Sequence, residues 1–442
     1  MKNQLIPQLI VVYLSIHSLA PNPRNARTHS KLQIRQIAAS IKAFGFTNPV
    51  LIDRQNRIVA GHGRVEAAKL LGIEQIPTIL LENMTEDEIR VYILADNRLA
   101  EKAGWDKSIL AIELQHLISI DEIDVTITGF EIPEIDLILE EGRAGQDKDD
   151  VVETDETASA VTQPNDLWKL GKHRILCGNA LHESSFAELM GNRRANIVFA
   201  DVPYNVAIDQ NVCGKGSIHH REFVMASGEM SEAEFIAFLK SALGLLARYS
   251  TANSVHFICM DWRHMHELFA AGNPIYDQFL NLCVWVKNNG GMGSLYRSRH
   301  ELVFVFRNGK GSHRNNVMLG QYKRNRTNVW EYPGVNTLSR QGDEGSLLAL
   351  HPTVKPVALV ADALLDCSAR GDIVVDSFLG SGTTLIAAER VGRVCYGIEI
   401  DPLYVDVAIR RWQRHTGSRA VHAASGKCFD EIVAGHEVHC ER

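Results

Sequence analysis

The chain has 442 residues, of which 45% are hydrophobic and 22% charged, and its formal net charge is −7. This composition is typical of a globular protein of two or three domains, and it excludes a disordered chain or binding to nucleic acid through a strongly basic overall charge. The eight cysteines are scattered and form no C-x-x-C pair, so neither a zinc module nor a disulfide framework is indicated. We therefore expect a cytoplasmic protein without a bound metal, and no apolar run is long enough to cross a membrane.

The first third of the chain is expected to form a small α/β domain. Residues 11–14 favour a strand over a signal peptide, because the surrounding apolar run is interrupted. A helix capped by Ser30 and ended by Gly45 follows, and strands are predicted at 49–53 and 57–60.

A glycine-rich turn, Gly61-His62-Gly63-Arg64, separates the second of these strands from a helix predicted at 65–71. Helix N-termini bind anions, and a guanidinium suits phosphate, although an ordinary tight turn with a surface arginine accounts for the same residues. The run 22–72 resembles the N-terminal domain of ParB-like partition proteins, whose box is of the Gly-Glu-Arg-Arg type. The resemblance implies a nucleotide or a phosphate bound at Gly61, His62, Gly63 and Arg64, with His62 and Gly63 departing from that box.

An acidic segment at 131–156, followed by a Thr/Ser-rich stretch, predicts a solvated spacer. We therefore divide the chain into a first domain at 1–140, an acidic flexible linker at 141–165, a second domain at 166–420 and a C-terminal tail at 421–442.

The second domain contains Asp201-Val202-Pro203-Tyr204 directly after a short apolar strand. Ligands of open α/β sheets bind at the carboxyl ends of strands. An exocyclic amine on a planar base becomes more nucleophilic when two acceptors take its two N–H groups, and Asp201 and the Val202 carbonyl supply two acceptors. Pro203 restricts the residue before it, and Tyr204 offers a face for stacking an extruded base. A strand-end turn with a buried tyrosine is the alternative interpretation.

A second motif, residues 376–384, also follows an apolar strand and opens a helix. Gly380 and Gly382 allow close approach of a ligand to the backbone, and Glu399 at the end of the next strand suits a ribose diol. Lys355 lies just upstream and can face a cofactor carboxylate. Alone, this loop would equally suit a dinucleotide in an oxidoreductase.

Together, these motifs resemble the β-class DNA amino-methyltransferases, over roughly residues 165–415. The resemblance implies a Rossmann-like domain with a circularly permuted motif order, S-adenosylmethionine as cofactor and DNA as partner. An aspartate at position 201 points to N6 of adenine, whereas a serine there would favour N4 of cytosine. The implied catalytic residues are Asp201, Val202, Pro203 and Tyr204. The implied cofactor-binding residues are Asn179, Lys355, Asp376, Phe378, Gly380, Gly382, Thr383 and Glu399.

Basic residues are concentrated at 287–326, where a phosphate-binding surface is favoured over a merely solvated face. The loop 205–228 is expected to act as a flap over the extruded base. The predicted DNA-binding residues are Arg297, Arg299, Lys310, Arg314, Lys323, Arg324 and Arg326.

We therefore expect an α/β protein that methylates N6 of adenine in DNA, with a ParB-like module that assists DNA binding. Two alternatives stay open: a catalytically impaired DNA-binding or partition-type protein, and an amino-methyltransferase acting on RNA or on protein glutamine. A homodimer and an accompanying restriction enzyme are also left open.

The family has proline where this chain has Val202, and proline fixes φ. We expect the Val202→Pro variant to transfer methyl groups faster than the wild type, because the acceptor carbonyl would be better preorganised. Initial rates of methyl transfer, measured side by side, test this; equal rates would contradict it.

Overall fold

The computed structural model describes residues 9–120, 123–141, 160–206, 228–288, 290, 295–317, 324–333 and 354–440. The chain divides into two compact units, Met1–Arg143 and Ala144–Arg442. Within the described ranges, none of the helices has the length and apolar character needed to cross a bilayer.

The first unit contains a four-stranded mixed sheet with helices packed against it. Its strands are β1 (Val11–Ser15), β2 (Val50–Ile52), β3 (Ile58–Ala60) and β4 (Gln75–Leu80), in the order β1-β4-β2-β3. Its helices are α1 (Lys31–Phe44), α2 (His62–Leu70), α3 (Glu86–Lys102), α4 (Lys107–Ile118) and α5 (Ile132–Glu141).

Local sequence signals set the ends of these helices. The Ser30 hydroxyl accepts from the Gln33 amide at 3.1 Å and caps α1, and Gly45 ends it with a φ of 80°, as predicted. Helix α2 begins at His62, earlier than predicted, because Gly61 is its N-cap with a φ of 106°. The glycine-rich turn is therefore the first turn of this helix.

Helix α5 corrects the prediction of an acidic spacer that starts at 131. Ile135 and Leu139 lie one helical turn apart and are buried with Leu114 of α4. The helical spacing was present in the sequence, but the acidic neighbours obscured it.

The second unit is a ten-stranded sheet with helices on both faces. Its strands are β5 (Leu167–Leu170), β6 (His173–Cys177), β7 (Ala195–Asp201), β8 (Ser250–Met260), β9 (Gln278–Val286), β10 (His300–Arg307), β11 (Val329–Glu331), β12 (Ile373–Asp376), β13 (Val394–Glu399) and β14 (Val421–His422). Its helices are α6 (Glu183–Met190), α7 (Glu232–Arg248), α8 (Met265–Gly272), α9 (Val357–Cys367), α10 (Thr383–Val391), α11 (Pro402–Thr416) and α12 (Phe429–Cys440).

The strand order is β11-β9-β10-β8-β7-β12-β13-β6-β5-β14. The central strands β8, β7, β12, β13 and β6 are parallel to their neighbours in this run. Along β7, Ile197 and Phe199 join a core with α9, α10 and α11, whereas Val198 and Ala200 join a core with α6, α7 and α8. This alternation explains why β7 is apolar throughout: both of its faces are covered.

The second unit extends beyond the boundaries predicted for it. The Asp406 carboxylate accepts the backbone amides of Val161 at 2.8 Å and Thr162 at 3.2 Å, and both residues are buried. At the other end, the Phe429 ring lies 5.3 Å from the ring of Trp168. Residues 160–165 and the segment from β14 into α12 thus pack within this unit, which corrects both the predicted linker end and the predicted tail.

Two glycines of the second unit have left-handed φ values but different surroundings. Gly382 caps α10 with a φ of 86°, and a Cβ added there would lie 2.9 Å from the Ala408 Cβ. Gly417 ends α11 with a φ of 69°, and an added Cβ would meet nothing within 4 Å.

We expect Gly417→Ala to cost about 1 kcal/mol of unfolding free energy, from backbone strain alone. Gly382→Ala adds the steric clash and should cost about 2–3 kcal/mol more. Urea denaturation measures both. Ala408→Gly added to Gly382→Ala should relieve the extra cost, relative to Ala408→Gly alone; equal destabilisation by the two alanine variants would contradict the steric explanation.

Candidate active site

Two loops meet at the carboxyl edge of the parallel strands. Strand β7 ends at Asp201, and the neighbouring strand β12 ends at Asp376, with Val198 paired to Val375. From β7 the chain continues to β8 on one side, and from β12 to β13 on the other. Connections that diverge in this way open a crevice between two strands, which is where open α/β sheets bind ligands.

The Asp201 carboxylate is held by two side chains. The Lys355 ammonium donates to its Oδ2 at 2.6 Å, and the Tyr204 hydroxyl donates to its Oδ1 at 2.7 Å. Glu301 of β10 lies beside them, with its Oε2 3.0 Å from both the Tyr204 hydroxyl oxygen and the Lys355 nitrogen. Lys287, just after β9, donates to the other oxygen of Glu301.

Neighbouring charges in this cluster shift the pKa values of Lys355 and Glu301. Burial alone would lower the pKa of Lys355, but Asp201 and Glu301 raise it above its usual value. Burial alone would raise the pKa of Glu301, but the ammonium groups of Lys355 and Lys287 lower it. Lys355 and Glu301 are therefore both charged at neutral pH.

Val202 and Pro203 follow Asp201 at the edge of the sheet. The Val202 side chain is 1% exposed and packs in the core with α7, so this position is filled by an apolar group. Among the described residues, no donor hydrogen-bonds to the Val202 carbonyl, which leaves that oxygen able to accept one.

Asn205 ties together the two ends of the predicted flap. Its side-chain oxygen accepts the amides of Gly228 at 3.0 Å and Met230 at 3.2 Å, and its amide donates to the Met230 carbonyl at 2.8 Å. The body of the predicted flap, 207–227, lies outside the described residues.

The second loop is organised around Glu399 at the end of β13. Its Oε2 accepts the Gly380 amide at 2.7 Å, and its Oε1 accepts the Asp401 amide at 2.9 Å. Gly380 has a φ of 54°, and a Cβ added there would meet nothing within 4 Å. The loop thus has open space in front of Gly380, with a carboxylate at its side.

Asp376 fixes the start of the same loop. Its Oδ1 accepts the Phe378 amide at 3.0 Å, and its Oδ2 accepts the Thr384 hydroxyl at 2.6 Å. Burial raises the pKa of Asp376 to about 7, against the opposing effect of these hydrogen bonds. Burial likewise raises the pKa of Glu399 to about 7, opposed by the bonds from Asp401 and Gly380.

Thr383, predicted to bind the cofactor, is held by Arg411 of α11. Arg411 is buried, and it donates to the Thr383 hydroxyl at 3.2 Å and the Ser381 carbonyl at 3.3 Å. The Thr383 hydroxyl is therefore occupied by α11, and Arg411 supports the loop from beneath.

Phe378 belongs to this loop, and Asn179 follows the neighbouring strand β6. The Phe378 ring is 6.1 Å from that of Phe238. Gly178, next to Asn179, donates its amide to the Glu399 carbonyl at 2.8 Å, and the Asn179 side chain accepts the Leu181 amide at 2.8 Å. All the predicted cofactor residues except Lys355 thus belong to the β6, β12 and β13 ends, and Lys355 lies with Asp201.

The predicted DNA-binding residues do not form one surface. Arg324 is buried and donates to Asp366 at 2.6 Å and to Asp362 at 3.0 Å; Arg326 is bound to the same two carboxylates of α9. Their assignment as phosphate contacts was wrong, because their charges are already paired inside the protein. Lys323 lies outside the described residues.

The other basic residues divide between two edges of the sheet. Strand β10 begins near Glu301, at the edge of Asp201, and runs antiparallel to β8 toward the opposite edge. Arg297 and Arg299 precede β10 and are exposed at the Asp201 edge, whereas Lys310 follows it at the far edge. Arg314 is also at the far edge, because Asn316 bonds to carbonyls at the end of α9.

The glycine-rich turn of the first unit is more enclosed than expected. The Arg64 side chain folds back over Gly61, where an added Cβ would lie 2.9 Å from its Nη2, and it donates to the Pro49 carbonyl at 3.3 Å. The His62 Nε2 accepts the Asn22 amide at 3.4 Å. Burial lowers the pKa of both side chains. Arg64 is therefore half-buried rather than a surface arginine.

Glu301 and Lys287 were missed in the sequence. Both residues fall within the segment 287–326, for which the sequence predicts only a phosphate-binding surface. Lys287 directly follows the apolar strand β9, and Glu301 is the second residue of the apolar strand β10. A charged residue at the end of an apolar strand is unusual, and this was the sequence feature that could have identified both.

Family models match three parts of the chain. A model described as DNA methylase matches residues 195–410, one described as ParB N-terminal domain matches 2–97, and one described as ParB-methyltransferase HTH domain matches 108–164. The last model covers α4 from its second residue onward and all of α5, whose residues were predicted only as part of a spacer.

Two curated relatives match different regions. The ParB-like nuclease domain-containing protein YnaK of Escherichia coli (strain K12) is 48% identical over 81 residues, which are 18% of this chain and 93% of that protein. The type II methyltransferase M.ScaI of Streptomyces caespitosus is 34% identical over 95 residues, 22% of this chain and 31% of its own length.

Solved structures resemble the chain only weakly. M1.HpyAVI is 18% identical, with 54% of this chain and 96% of that chain covered, at a TM-score of 0.38. The cytosine-N4-specific PvuII DNA methyltransferase is 14% identical, with 59% and 94% covered, at a TM-score of 0.40. The family matches and the two motif loops on one sheet edge carry the assignment: the chain has a domain of the N6/N4 DNA methylase family, whose cofactor is S-adenosylmethionine, together with a ParB-like domain at its N-terminus.

Proposed function

We propose that this protein transfers a methyl group to the exocyclic N6 amine of adenine in DNA. The observation that carries the proposal is the pair of acceptors at the end of β7: the Asp201 carboxylate and the Val202 carbonyl. In this proposal, both acceptors face the crevice between β7 and β12, beside the loop 376–384, called here the glycine loop.

The two acceptors make the N6 amine of adenine, a poor nucleophile, more reactive. The N6 lone pair is delocalised into the adenine ring. Hydrogen bonds from its two N–H groups to Asp201 and Val202 favour the pyramidal amine as the new bond forms. Tyr204 is half-buried with its hydroxyl bound, so its ring orientation is fixed for stacking against an extruded base.

Lys355 sets the chemical role of the Asp201 carboxylate. The Lys355 ammonium donates to the Asp201 Oδ2 at 2.6 Å, so in this proposal Asp201 serves as a hydrogen-bond acceptor rather than as a strong base. The proton released from N6 after transfer then passes to solvent.

The residues of the glycine loop fit the cofactor. Gly380 leaves open space where a side chain would stand, and the Glu399 carboxylate can accept from two ribose hydroxyls. When bound there, S-adenosylmethionine would supply an activated methyl group, carried on a sulfonium, for transfer to the N6 amine. Asn179, Asp376, Phe378, Gly382 and Thr383 shape the loop that would hold it.

The first unit is proposed to engage DNA. The match to a ParB-methyltransferase HTH domain supports this, since helix-turn-helix modules place a helix in the major groove. The turn from Gly61 to Arg64 is proposed to bind a nucleotide or a phosphate, because it opens α2 with a guanidinium folded over it.

The proposed function is tested by transfer of labelled methyl from S-adenosylmethionine to unmethylated genomic DNA. We expect the label in N6-methyladenine, and we expect Asp201→Ala to lower the rate about a thousandfold. Asp430→Ala, an exposed aspartate of α12, is the matched control and should act as the wild type does. Label in N4-methylcytosine, in RNA or in protein instead would overturn the adenine assignment.

The pKa of about 7 for Glu399 predicts a pH-dependent affinity for S-adenosylmethionine. Only the carboxylate form accepts from both ribose hydroxyls, so affinity should rise about tenfold from pH 6 to pH 8. Calorimetric titration measures it. Glu399→Gln should bind more weakly with a flat profile; a profile that keeps its slope in this variant would assign the titration to Asp376.

Arg299 is proposed as a phosphate contact, and Lys310 at the far edge is its control. Arg299→Ala should weaken binding of a short duplex about tenfold and reduce the dependence of log Kd on log salt by about one. Lys310→Ala should change neither. Fluorescence anisotropy across a salt series gives both quantities, and equal effects of the two variants would contradict the division of the surface.

A further inference from the structure

Glu301 lies at the centre of the site although neither predicted motif contains it. It is 6% exposed, and its Oε2 is 3.0 Å from both the Tyr204 hydroxyl and the Lys355 ammonium. Its Oε1 accepts from Lys287. A carboxylate buried this deeply is costly unless its partners hold it in place, and here both oxygens are partnered.

The Tyr204 hydroxyl has two acceptors and one proton. It lies 2.7 Å from Asp201 and 3.0 Å from Glu301, so it can donate to only one of them at a time. When it donates to Glu301, one lone pair of the Asp201 Oδ1 becomes free. An amine N–H can then donate to that oxygen without leaving the tyrosine hydroxyl unsatisfied.

Lys355 is shared in the same way. Its ammonium contacts Asp201 at 2.6 Å and Glu301 at 3.0 Å. Without the second carboxylate, the full positive charge would rest on Asp201 and make it a poorer acceptor for the substrate amine. Lys287 balances the remaining charge of Glu301.

We propose that Glu301 is a positioning residue for methyl transfer: it shares Tyr204 and Lys355 with Asp201, so that the Asp201 carboxylate can accept the substrate amine. This inference rests on the proposed function, in which Asp201 binds the amine. Glu301 itself touches neither the substrate nor the cofactor in this scheme. It acts through the two side chains that it shares.

The test is the Glu301→Gln variant, assayed by total labelled methyl transferred to DNA, whichever base receives it. The variant is isosteric but removes the charge that Lys355 shares. We expect kcat to fall about tenfold to a hundredfold, while KM for DNA and for S-adenosylmethionine changes less than about threefold. Glu331→Gln on the nearby strand β11, with an exposed side chain, is the matched control and should leave both unchanged.

A double-mutant cycle with Tyr204→Phe separates positioning from a general structural effect. If Glu301 acts through Tyr204, the double variant should lose less activity than the product of the two single losses. Should Glu301→Gln fail to fold, as judged by circular dichroism, Glu301→Asp takes its place, since it keeps the charge but shortens the reach.

Each outcome bears on one proposal or the other. A kcat within threefold of wild type, or losses that multiply independently, would overturn the role of Glu301. Label in cytosine with the same loss in Glu301→Gln would overturn the adenine assignment and leave Glu301 supported. No transfer by the wild-type protein to any DNA would overturn both.

Discussion

The site depends on burying two acidic and two basic side chains against one another at the end of a parallel sheet. Asp201, Glu301, Lys287 and Lys355 come from four separate segments, and their charges cancel only when β7, β9, β10 and the start of α9 are all in register. Removing one side chain would leave a charged partner buried and unpaired, which lowers the free energy of unfolding by several kcal/mol. The surrounding strands are therefore held to one arrangement by the charges as well as by their apolar faces.

The glycine loop follows a different principle. Glu399 and Asp376 turn their oxygens toward backbone amides, so that the loop is shaped before any ligand arrives. Arg411 holds it from beneath, and Gly380 keeps its outer side clear. Rigid backbone next to open space favours binding, because little ordering remains to be done when a ligand enters.

The sequence predicted the parts of this structure that are set locally. The Ser30 cap, the glycine turn before α2 and the two motif loops after apolar strands are short-range patterns, and parallel strands bring their carboxyl ends to one edge. Side-chain contacts between residues far apart in the chain could not be predicted from the sequence. Glu301 meets Tyr204 from 97 residues away. Arg324 finds its carboxylates on α9, and nothing in a run of basic residues distinguishes a guanidinium paired in the interior from one that faces solvent.

Asn205 allows the segment that follows it to change in length during evolution. Its side chain joins the chain on both sides of 207–227, so the distance between those ends is fixed by three hydrogen bonds rather than by the segment itself. Doubling the number of residues between two joined ends of a chain costs only about 0.6 kcal/mol of entropy. Insertions and deletions between 206 and 228 can therefore accumulate while Asp201 and its neighbours keep their positions, so the length of this segment can evolve independently of the chemistry.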